Sequence, residues 1–163
     1  MSELKAKILR LLKEDARYSA ETLATMLDAS VAEVKAAIAE MERDRTILKY
    51  TTVVNNGKTD EDKVTALIEV QITPERGRGF DAIAERIYMF PEVTSVYLMS
   101  GGYDLLVEIE GRSLREVANF VSSKLATLDS VQNTKTHFIL KKYKQDGVIF
   151  EQHEGDHRMM ITP

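Results

Sequence analysis

Two hydrophobic periodicities follow one another along this chain, and their order restricts the possible folds more than any other feature. In residues 4–41 the apolar side chains recur every three or four positions, which is typical of amphipathic helices. In residues 64–140 several segments alternate apolar and polar side chains, as half-buried strands do, and two helical patterns lie between them. The sequence therefore predicts a helical unit followed by a mixed unit, which together make an α+β chain.

The helical unit begins with two short helices. Leu4, Ile8 and Leu11 lie at helical spacing and predict a first helix that ends near Glu14. Ser19 is the expected N-cap of a short second helix, because its hydroxyl can accept a bond from a free backbone N–H of the first turn.

A tight turn at Asp28 leads into a third helix. Ser30 and, three residues later, Glu33 form the pattern of a capping box, which marks where this helix begins. Its apolar face holds Val34, Ile38 and Met41. Residues 47–54 are rich in β-forming side chains and predict a wing strand, so the unit as a whole is expected to be a winged helix-turn-helix.

The mixed unit has a strand–helix–strand–strand–helix–strand order. The expected elements cover, in turn, residues 64–72, 80–87, 93–99, 105–109, 114–125 and 134–140. This is the ferredoxin-like βαββαβ order, in which a four-stranded sheet carries both helices on one face. The other face needs a cover, and a second subunit is the simplest one, so we expect a dimer.

Polar, turn-forming residues separate the two units. We expect a winged helix-turn-helix domain at 1–54, a linker at 55–63, a ferredoxin-like domain at 64–142 and a C-terminal arm at 143–163. The arm contains two apolar clusters, and we interpret it as an extended arm or hairpin that packs on the dimer.

The composition argues against several classes of protein. The 163 residues include no cysteine, and no apolar run approaches the roughly 20 residues that cross a bilayer. The first residues alternate charged and apolar side chains, unlike a secretory signal, so we expect a cytoplasmic protein without a membrane partner. The net charge is −4, and residues 1–50 hold nine basic and nine acidic side chains. Any DNA affinity must therefore come from placement and dimeric avidity.

Several short motifs resemble, in order and spacing, the leucine-responsive regulatory protein/AsnC family, the feast/famine regulators of bacteria and archaea. They lie at residues 8–19, 47–51, 91–93, 101–105 and 128–136, and the resemblance covers about 5–142. It implies a winged DNA-binding head and a ligand-binding ferredoxin-like domain. It also implies dimers that often assemble into octamers, and a response to amino acids.

Two features depart from the family pattern. The turn before the recognition helix usually holds glycine, whereas this chain has Asp28, a residue type that tolerates the left-handed conformation. The third helix is short of basic residues, because Lys35 is the one cation before Arg43.

The candidate DNA-binding residues lie at two helix starts and around the wing. They are Ser30, Ala32, Lys35 and Ala36 on the third helix, Arg17 and Ser19 at the second, and Lys49 and Lys58 near the wing. A recognition helix places its first residues in the major groove, where Lys35 can donate to a guanine edge or a phosphate. Arg17 and Ser19 suit phosphate contacts at a helix N-terminus. An ordinary solvated surface explains the lysines equally well.

The candidate effector site is the turn made by Gly101, Gly102, Tyr103 and Asp104. Two glycines let a ligand approach the backbone, and Asp104 can pair with an α-ammonium group. A simple hairpin turn explains the glycines without a ligand. The family resemblance adds Thr134 and Thr136, which point to the same face of one strand and match family positions near the effector pocket.

No catalytic, metal or cofactor site is expected. His153 and His157 are four residues apart, but they lie in a polar stretch without a third ligand, and His137 lies in a strand. We therefore expect a regulator rather than an enzyme, bound to double-stranded DNA and to an amino acid. Two alternatives stay open: a sirohaem decarboxylase, a kind of enzyme that resembles the same family, and an amino-acid sensor with a degenerate head.

Overall fold

The structure is a computed structural model that describes residues 2–59, 63–73 and 79–150. The chain divides between Val53 and Val54 into two compact units, and each is described by itself. Among the described residues, no helix is long and apolar enough to span a bilayer.

Three helices form the first unit: α1 (Glu3–Glu14), α2 (Ala20–Leu27) and α3 (Val31–Arg43). Each begins at a serine whose hydroxyl accepts a backbone N–H of the first turn, and at Ser30 the full capping box is present. Their buried side chains meet in one core: Ile8, Leu11, Leu23, Ala24, Val34, Ala37 and Met41. The periodicity and the capping signals therefore predicted these three helices correctly.

Two left-handed residues shape the loops of this unit. Asp28, at φ 50° and ψ 49°, makes the turn between α2 and α3, so an aspartate does adopt the conformation for which glycine is usual. Arg45, at φ 63°, follows α3, and the chain then folds back so that the Ile47 N–H donates to the Met41 carbonyl at 2.9 Å.

The prediction of a wing strand at residues 47–54 is wrong, because the structure has no strand there. Ile47 packs against the helical core, and residues 48–55 adopt no regular secondary structure. A strand needs a neighbour for its backbone hydrogen bonds, and within the described chain no strand lies beside these residues. Their β-forming composition alone could not supply that neighbour.

The second unit contains a four-stranded antiparallel sheet with two helices. Its elements are β1 (Val64–Ile72), α4 (Asp81–Tyr88), β2 (Val93–Leu98), β3 (Leu105–Gly111), α5 (Leu114–Phe120) and β4 (Val131–Phe138). The sheet order is β2-β3-β1-β4, which is the expected ferredoxin-like arrangement. A π-helical turn (Val121–Leu125) extends α5, and a 3-10 turn (Asn56–Lys58) lies in the linker.

The two faces of the sheet differ in character. On the helical face, alternate residues of β1 and β3 are buried against both helices: Ala66, Ile68, Val70, Leu105, Val107 and Ile109. On the open face, Leu67 and Leu106 are half-buried and Tyr97 is 51% exposed. This open face is the one for which the sequence predicts a cover.

The closing strand begins earlier than expected, at Val131 rather than Thr134. A β-bulge lets Val131 pair with Ile72, although Asn133 already pairs with Gln71, and this adds a short stretch before Thr134. Such a shift depends on the partner strand and was not visible in the hydrophobic pattern.

A two-stranded hairpin follows the sheet, formed by β5 (Lys144–Gln145) and β6 (Val148–Ile149). Asp146 at φ 48° and Gly147 at φ 85° form its turn, since a two-residue type I′ turn needs a positive φ at both positions. As far as residue 150, the arm therefore has the form of a hairpin, one of the two forms expected for it. The second apolar cluster of the arm lies outside the described residues.

Candidate functional site

The start of α3 is exposed, as a recognition helix requires. Ala32, Lys35 and Ala36 are solvent-exposed, whereas Val34 and Ala37, on the other side of the helix, are buried. The side chains predicted to reach DNA therefore lie away from the core of the unit.

The two serines at the helix starts are engaged in capping. The Ser30 hydroxyl accepts the Glu33 N–H at 3.2 Å and donates to a Glu33 carboxylate oxygen at 2.6 Å. The Ser19 hydroxyl accepts the Thr22 N–H at 3.1 Å. The hydroxyls therefore stabilise the helix starts first, and a contact with DNA must be made alongside these bonds.

Lys35 is paired within the first unit. Its ammonium lies 3.0 Å from a carboxylate oxygen of Glu21 on α2, and both side chains are about 60% exposed (62% and 61%). The hydrogen bond and charge of Lys35 hold the pKa of Glu21 below its ordinary value. This acceptor is not evident from the sequence, because packing of α2 against α3 brings Glu21 close to Lys35.

Arg17 is paired in the same way with Asp15. Its guanidinium lies 2.8 Å from one Asp15 carboxylate oxygen, and the Arg17 backbone N–H donates to the other at 2.9 Å. These bonds lower the pKa of Asp15 to about 2. An aspartate two residues before the N–H that it accepts is a recognisable Asx-turn pattern, so this pair has a local signal in the sequence, although it was not predicted.

The two remaining cations lie in different units. Lys49 is exposed in the irregular segment after α3, within the first unit. Lys58 is exposed at the end of the 3-10 turn (Asn56–Lys58) in the second unit.

The candidate effector loop is tied to the end of β1. Asp104 is half-buried, and its carboxylate accepts the Ile72 N–H at 2.9 Å while its own N–H donates to the Val70 carbonyl at 3.0 Å. The side-chain amide of Gln71 donates to the Gly102 carbonyl at 3.1 Å. The hydrogen bond that Asp104 accepts from the Ile72 N–H was not predicted from the sequence. Gln71, which positions the loop through the Gly102 carbonyl, was not predicted either.

The loop is open above its glycines. A Cβ added to Gly101 or Gly102 would meet nothing within 4 Å. Within the described residues, the backbone N–H groups of both glycines find no acceptor. Tyr103 is half-buried beside them. The loop therefore offers free donors next to a carboxylate, an arrangement that suits a zwitterion.

Thr134 and Thr136 lie on the other side of β1 from this loop. They pair with Val70 and Ile68, respectively, so both point to the helical face of the sheet, and both are half-buried. On its opposite edge Val70 pairs with Leu105, which follows the loop. The two parts of the predicted site therefore share one end of the sheet but are separated by β1.

Comparison with known families decides what these two units are. Residues 65–149 match the Lrp/AsnC ligand binding domain, and residues 1–47 match a winged helix-turn-helix DNA-binding domain. The chain belongs to the Lrp/AsnC family. It is a transcription regulator with a DNA-binding helix-turn-helix and a small-molecule-binding domain, and not an enzyme.

Individual relatives agree with this assignment. The chain is 51% identical over 164 residues to the uncharacterized HTH-type transcriptional regulator YugG of Bacillus subtilis (strain 168), covering 100% of this chain and 99% of that protein. Its fold is similar to that of a leucine response regulatory protein of Mycobacterium tuberculosis, with TM-score 0.75, 22% identity and coverage of 94% and 99%. It is also similar to a Neisseria meningitidis transcriptional regulator solved as an L-Met complex, with TM-score 0.70, 22% identity and coverage of 89% and 93%.

The histidines show no metal-binding arrangement where they can be placed. His137 of this Lrp/AsnC chain lies on the open face of the sheet, and its Nε2 is 2.9 Å from a carboxylate oxygen of Glu69. Among the described residues, no group of three His, Cys, Asp or Glu side chains could hold a metal ion. His153 and His157 lie outside the described residues.

Proposed function

We propose that this regulator works in the cytoplasm as a homo-oligomer whose binding to double-stranded DNA is controlled by an amino acid. The observation that carries the proposal is the loop at residues 101–104, where free N–H donors lie beside the half-buried Asp104 carboxylate. The L-Met bound by the Neisseria meningitidis relative supports the same ligand class.

The amino acid is recognised at both of its charges. One carboxylate oxygen of Asp104 holds the Ile72 N–H, and the other accepts from the α-ammonium group. The N–H groups of Gly101 and Gly102 donate to the α-carboxylate. Thr134 and Thr136 of a neighbouring subunit complete the pocket, because within one chain β1 separates them from the loop.

The head contacts DNA through the exposed start of α3. Ala32, Ala36 and Ser30 approach the base edges, and Lys35 reaches a base or a phosphate once it leaves Glu21. The phosphate contacts of the head come from Arg17 and Ser19 around the start of α2 and from Lys49 after α3. Lys58, in the linker, adds a further phosphate contact from the second unit. Because the basic and acidic side chains of residues 1–50 balance, the affinity for DNA must come from the positions of individual side chains and not from a net positive charge.

Self-association uses the open face of the sheet. Leu67, Leu106 and Tyr97 form an apolar centre there, and a two-fold axis through this face makes it self-complementary. Higher assemblies such as octamers then bring the loop of one dimer towards the next. An amino acid bound between dimers favours one assembly over another. Because the assembly sets the spacing of the DNA-binding heads, ligand binding is coupled to DNA binding.

Light scattering after gel filtration tests the association. Leu106→Glu is expected to reduce the mass to that of one chain, because it places a charge at the centre of the contact. Leu114→Glu is the matched control, since Leu114 is 58% exposed on α5, outside the open face. A wild-type chain that is monomeric, or equal effects of both variants, would contradict this part of the proposal.

Fluorescence anisotropy with the DNA upstream of the protein's own gene tests the function as a whole. Binding is expected at low salt, with an affinity that falls as salt rises and changes when one of the twenty amino acids is added. A second candidate, an amino-acid sensor with a degenerate head, is favoured by the ion pairs of Lys35 and Arg17. Amino-acid binding without DNA binding at any salt concentration would establish that candidate instead.

A further inference from the structure

A groove of about 350 Å³ lies in the second unit, at the end of β1 opposite the loop at residues 101–104. Thr65 near the start of β1 lines it, whereas the loop is bound to Val70 and Ile72 at the strand's other end. Seven residues of strand separate the two places by roughly 20 Å. The groove is therefore distinct from the proposed effector site.

Three hydrogen bonds hold the walls of this groove together. The Ile139 N–H donates to the Thr65 carbonyl at 2.9 Å, which extends the pairing of β4 with β1 beyond the strand end. The Phe150 N–H donates to the Tyr143 carbonyl at 3.0 Å and closes the hairpin. The Asn55 side-chain amide lies 3.5 Å from the Phe150 carbonyl and links the linker to the hairpin. The groove is thus built by four separate segments of the chain.

The charged side chains that line the groove all carry the same sign among the residues that the structure describes. Lys63, Lys141 and Lys142 line it, and among the lining residues that the structure describes none is acidic. Lys142 is half-buried, and within the described chain its ammonium has no hydrogen bond or ion pair. Partial burial of an unpaired cation costs free energy, which a bound anion would offset.

The rest of the lining is largely apolar. Val54, Ile139, Leu140 and Phe150 contribute hydrocarbon surface, and Leu140 is 96% exposed in the free chain. A volume near the lower end of the usual ligand-pocket range suits a molecule with about the bulk of an amino-acid side chain and its head group. Apolar surface beside cations favours an anion that carries an apolar body.

We propose that this groove binds a small carboxylate that has an apolar body and no ammonium group, such as a branched-chain 2-oxo acid. The ammonium of Lys142 attracts the carboxylate and repels the ammonium of the corresponding amino acid. The site therefore has the opposite selectivity to the loop with Asp104, and the proposal does not depend on the proposed function. Its ligand touches residues 54–57, which directly follow the helix-turn-helix unit in the chain.

Isothermal titration of the full chain with 4-methyl-2-oxopentanoate tests the proposal. Wild-type protein is expected to bind this 2-oxo acid and to bind the neutral 4-methylpentan-2-one at least tenfold more weakly. Lys142→Gln is expected to weaken binding about tenfold, the loss typical of one charge-assisted hydrogen bond. Lys144→Gln is the matched control, because Lys144 is exposed on the adjacent β5 and does not line the groove. Asn56→Asp, which adds a negative charge to the groove wall, is expected to weaken binding as well.

Four results would overturn the proposal. The first is that the wild-type chain does not bind the 2-oxo acid, and the second is that Lys142→Gln and Lys144→Gln weaken its binding equally. The third is that Lys142→Gln weakens the binding of L-leucine as much as it weakens the binding of the 2-oxo acid. The fourth is that Asp104→Asn weakens the binding of the 2-oxo acid more than Lys142→Gln does. The last result would assign the 2-oxo acid to the loop at residues 101–104. Unchanged thermal unfolding midpoints of the variants show that they are folded.

Discussion

Lys35 of α3 and Glu21 of α2 form an ion pair of 3.0 Å across the helix-turn-helix. Lys35 is the one cation of α3 before Arg43, so the helix that is expected to read DNA presents its lysine already neutralised. Both side chains are well exposed, and such pairs contribute little to stability. A DNA phosphate or guanine can therefore take the place of Glu21 at small cost.

Glu21→Gln is expected to tighten DNA binding about two- to fivefold, because an exposed ion pair that competes with DNA is removed. Fluorescence anisotropy at several salt concentrations measures the change. Glu14→Gln makes the same charge change at the end of α1 and serves as the control. Equal gains in both variants would mean that only the net charge matters.

Lys35→Gln is expected to weaken DNA binding and to make its salt dependence shallower by about one counterion. Lys7→Gln is a matched control, because Lys7 is likewise paired with a glutamate, Glu3, on an exposed helix surface. The same anisotropy titrations measure both variants. If Lys7→Gln changes the salt dependence as much as Lys35→Gln does, α3 is not the helix that preferentially contacts the DNA.

The Asp15–Arg17 pair predicts a pH dependence. The hydrogen bonds of Arg17 lower the pKa of Asp15 from 3.8 to about 2. Because the pKa is lower in the folded state, the stabilising contribution is complete above pH 3.8 and is lost as the pH falls through about 2. An NMR titration of the Asp15 carboxyl measures this pKa directly. In Arg17→Gln it is expected to return towards 3.8, and an unchanged value would show that the Arg17 side chain is not the cause.

Local signals predicted the elements of this fold well. The capping box at Ser30 and Glu33 and the left-handed turn at Asp28 each depend on residues within four positions of one another. The alternation of β1 likewise placed Ile68 and Val70 in the core before any partner strand was known. Such features could be predicted because the residues that form them lie close together in the sequence.

Features that depend on residues distant in the sequence were either missed or predicted wrongly. The wing strand was expected from composition, but residues 48–55 have no strand beside them in the described chain. The bond from Gln71 to the Gly102 carbonyl joins residues 31 positions apart. The groove beside Lys142 likewise joins the linker to the hairpin, and no short motif encodes that.

Ser30→Ala is expected to destabilise the first unit by about 1 kcal/mol, because it removes the acceptor for the Glu33 N–H. Thermal unfolding measures the change, and Ser30→Asn, which retains a capping oxygen, is expected to recover most of the loss. If Ser30→Ala unfolds at the wild-type temperature, the capping box does not contribute to stability. A DNA-binding loss in Ser30→Ala is informative only at temperatures where the variant is folded.

Asp104 has two expected roles, and two substitutions separate them. Asp104→Asn keeps an oxygen for the Ile72 N–H but removes the charge, so stability is expected to stay close to that of the wild type. Its affinity for the amino-acid effector is expected to fall at least about tenfold, the loss typical of a charge-assisted hydrogen bond. Asp104→Ala also leaves the Ile72 N–H without its acceptor and is expected to lose about 1–3 kcal/mol of stability.

Thermal unfolding with and without each amino acid measures both roles of Asp104 at once. A ligand that binds the folded form at a hundred times its dissociation constant adds about 2.7 kcal/mol, so loss of the effector is readily seen. Gln71→Ala is the comparison, because it loosens the loop through the Gly102 carbonyl without changing charge. If Asp104→Asn retains the ligand-induced shift in full, the ammonium group binds elsewhere and Asp104 serves only to hold the loop against β1.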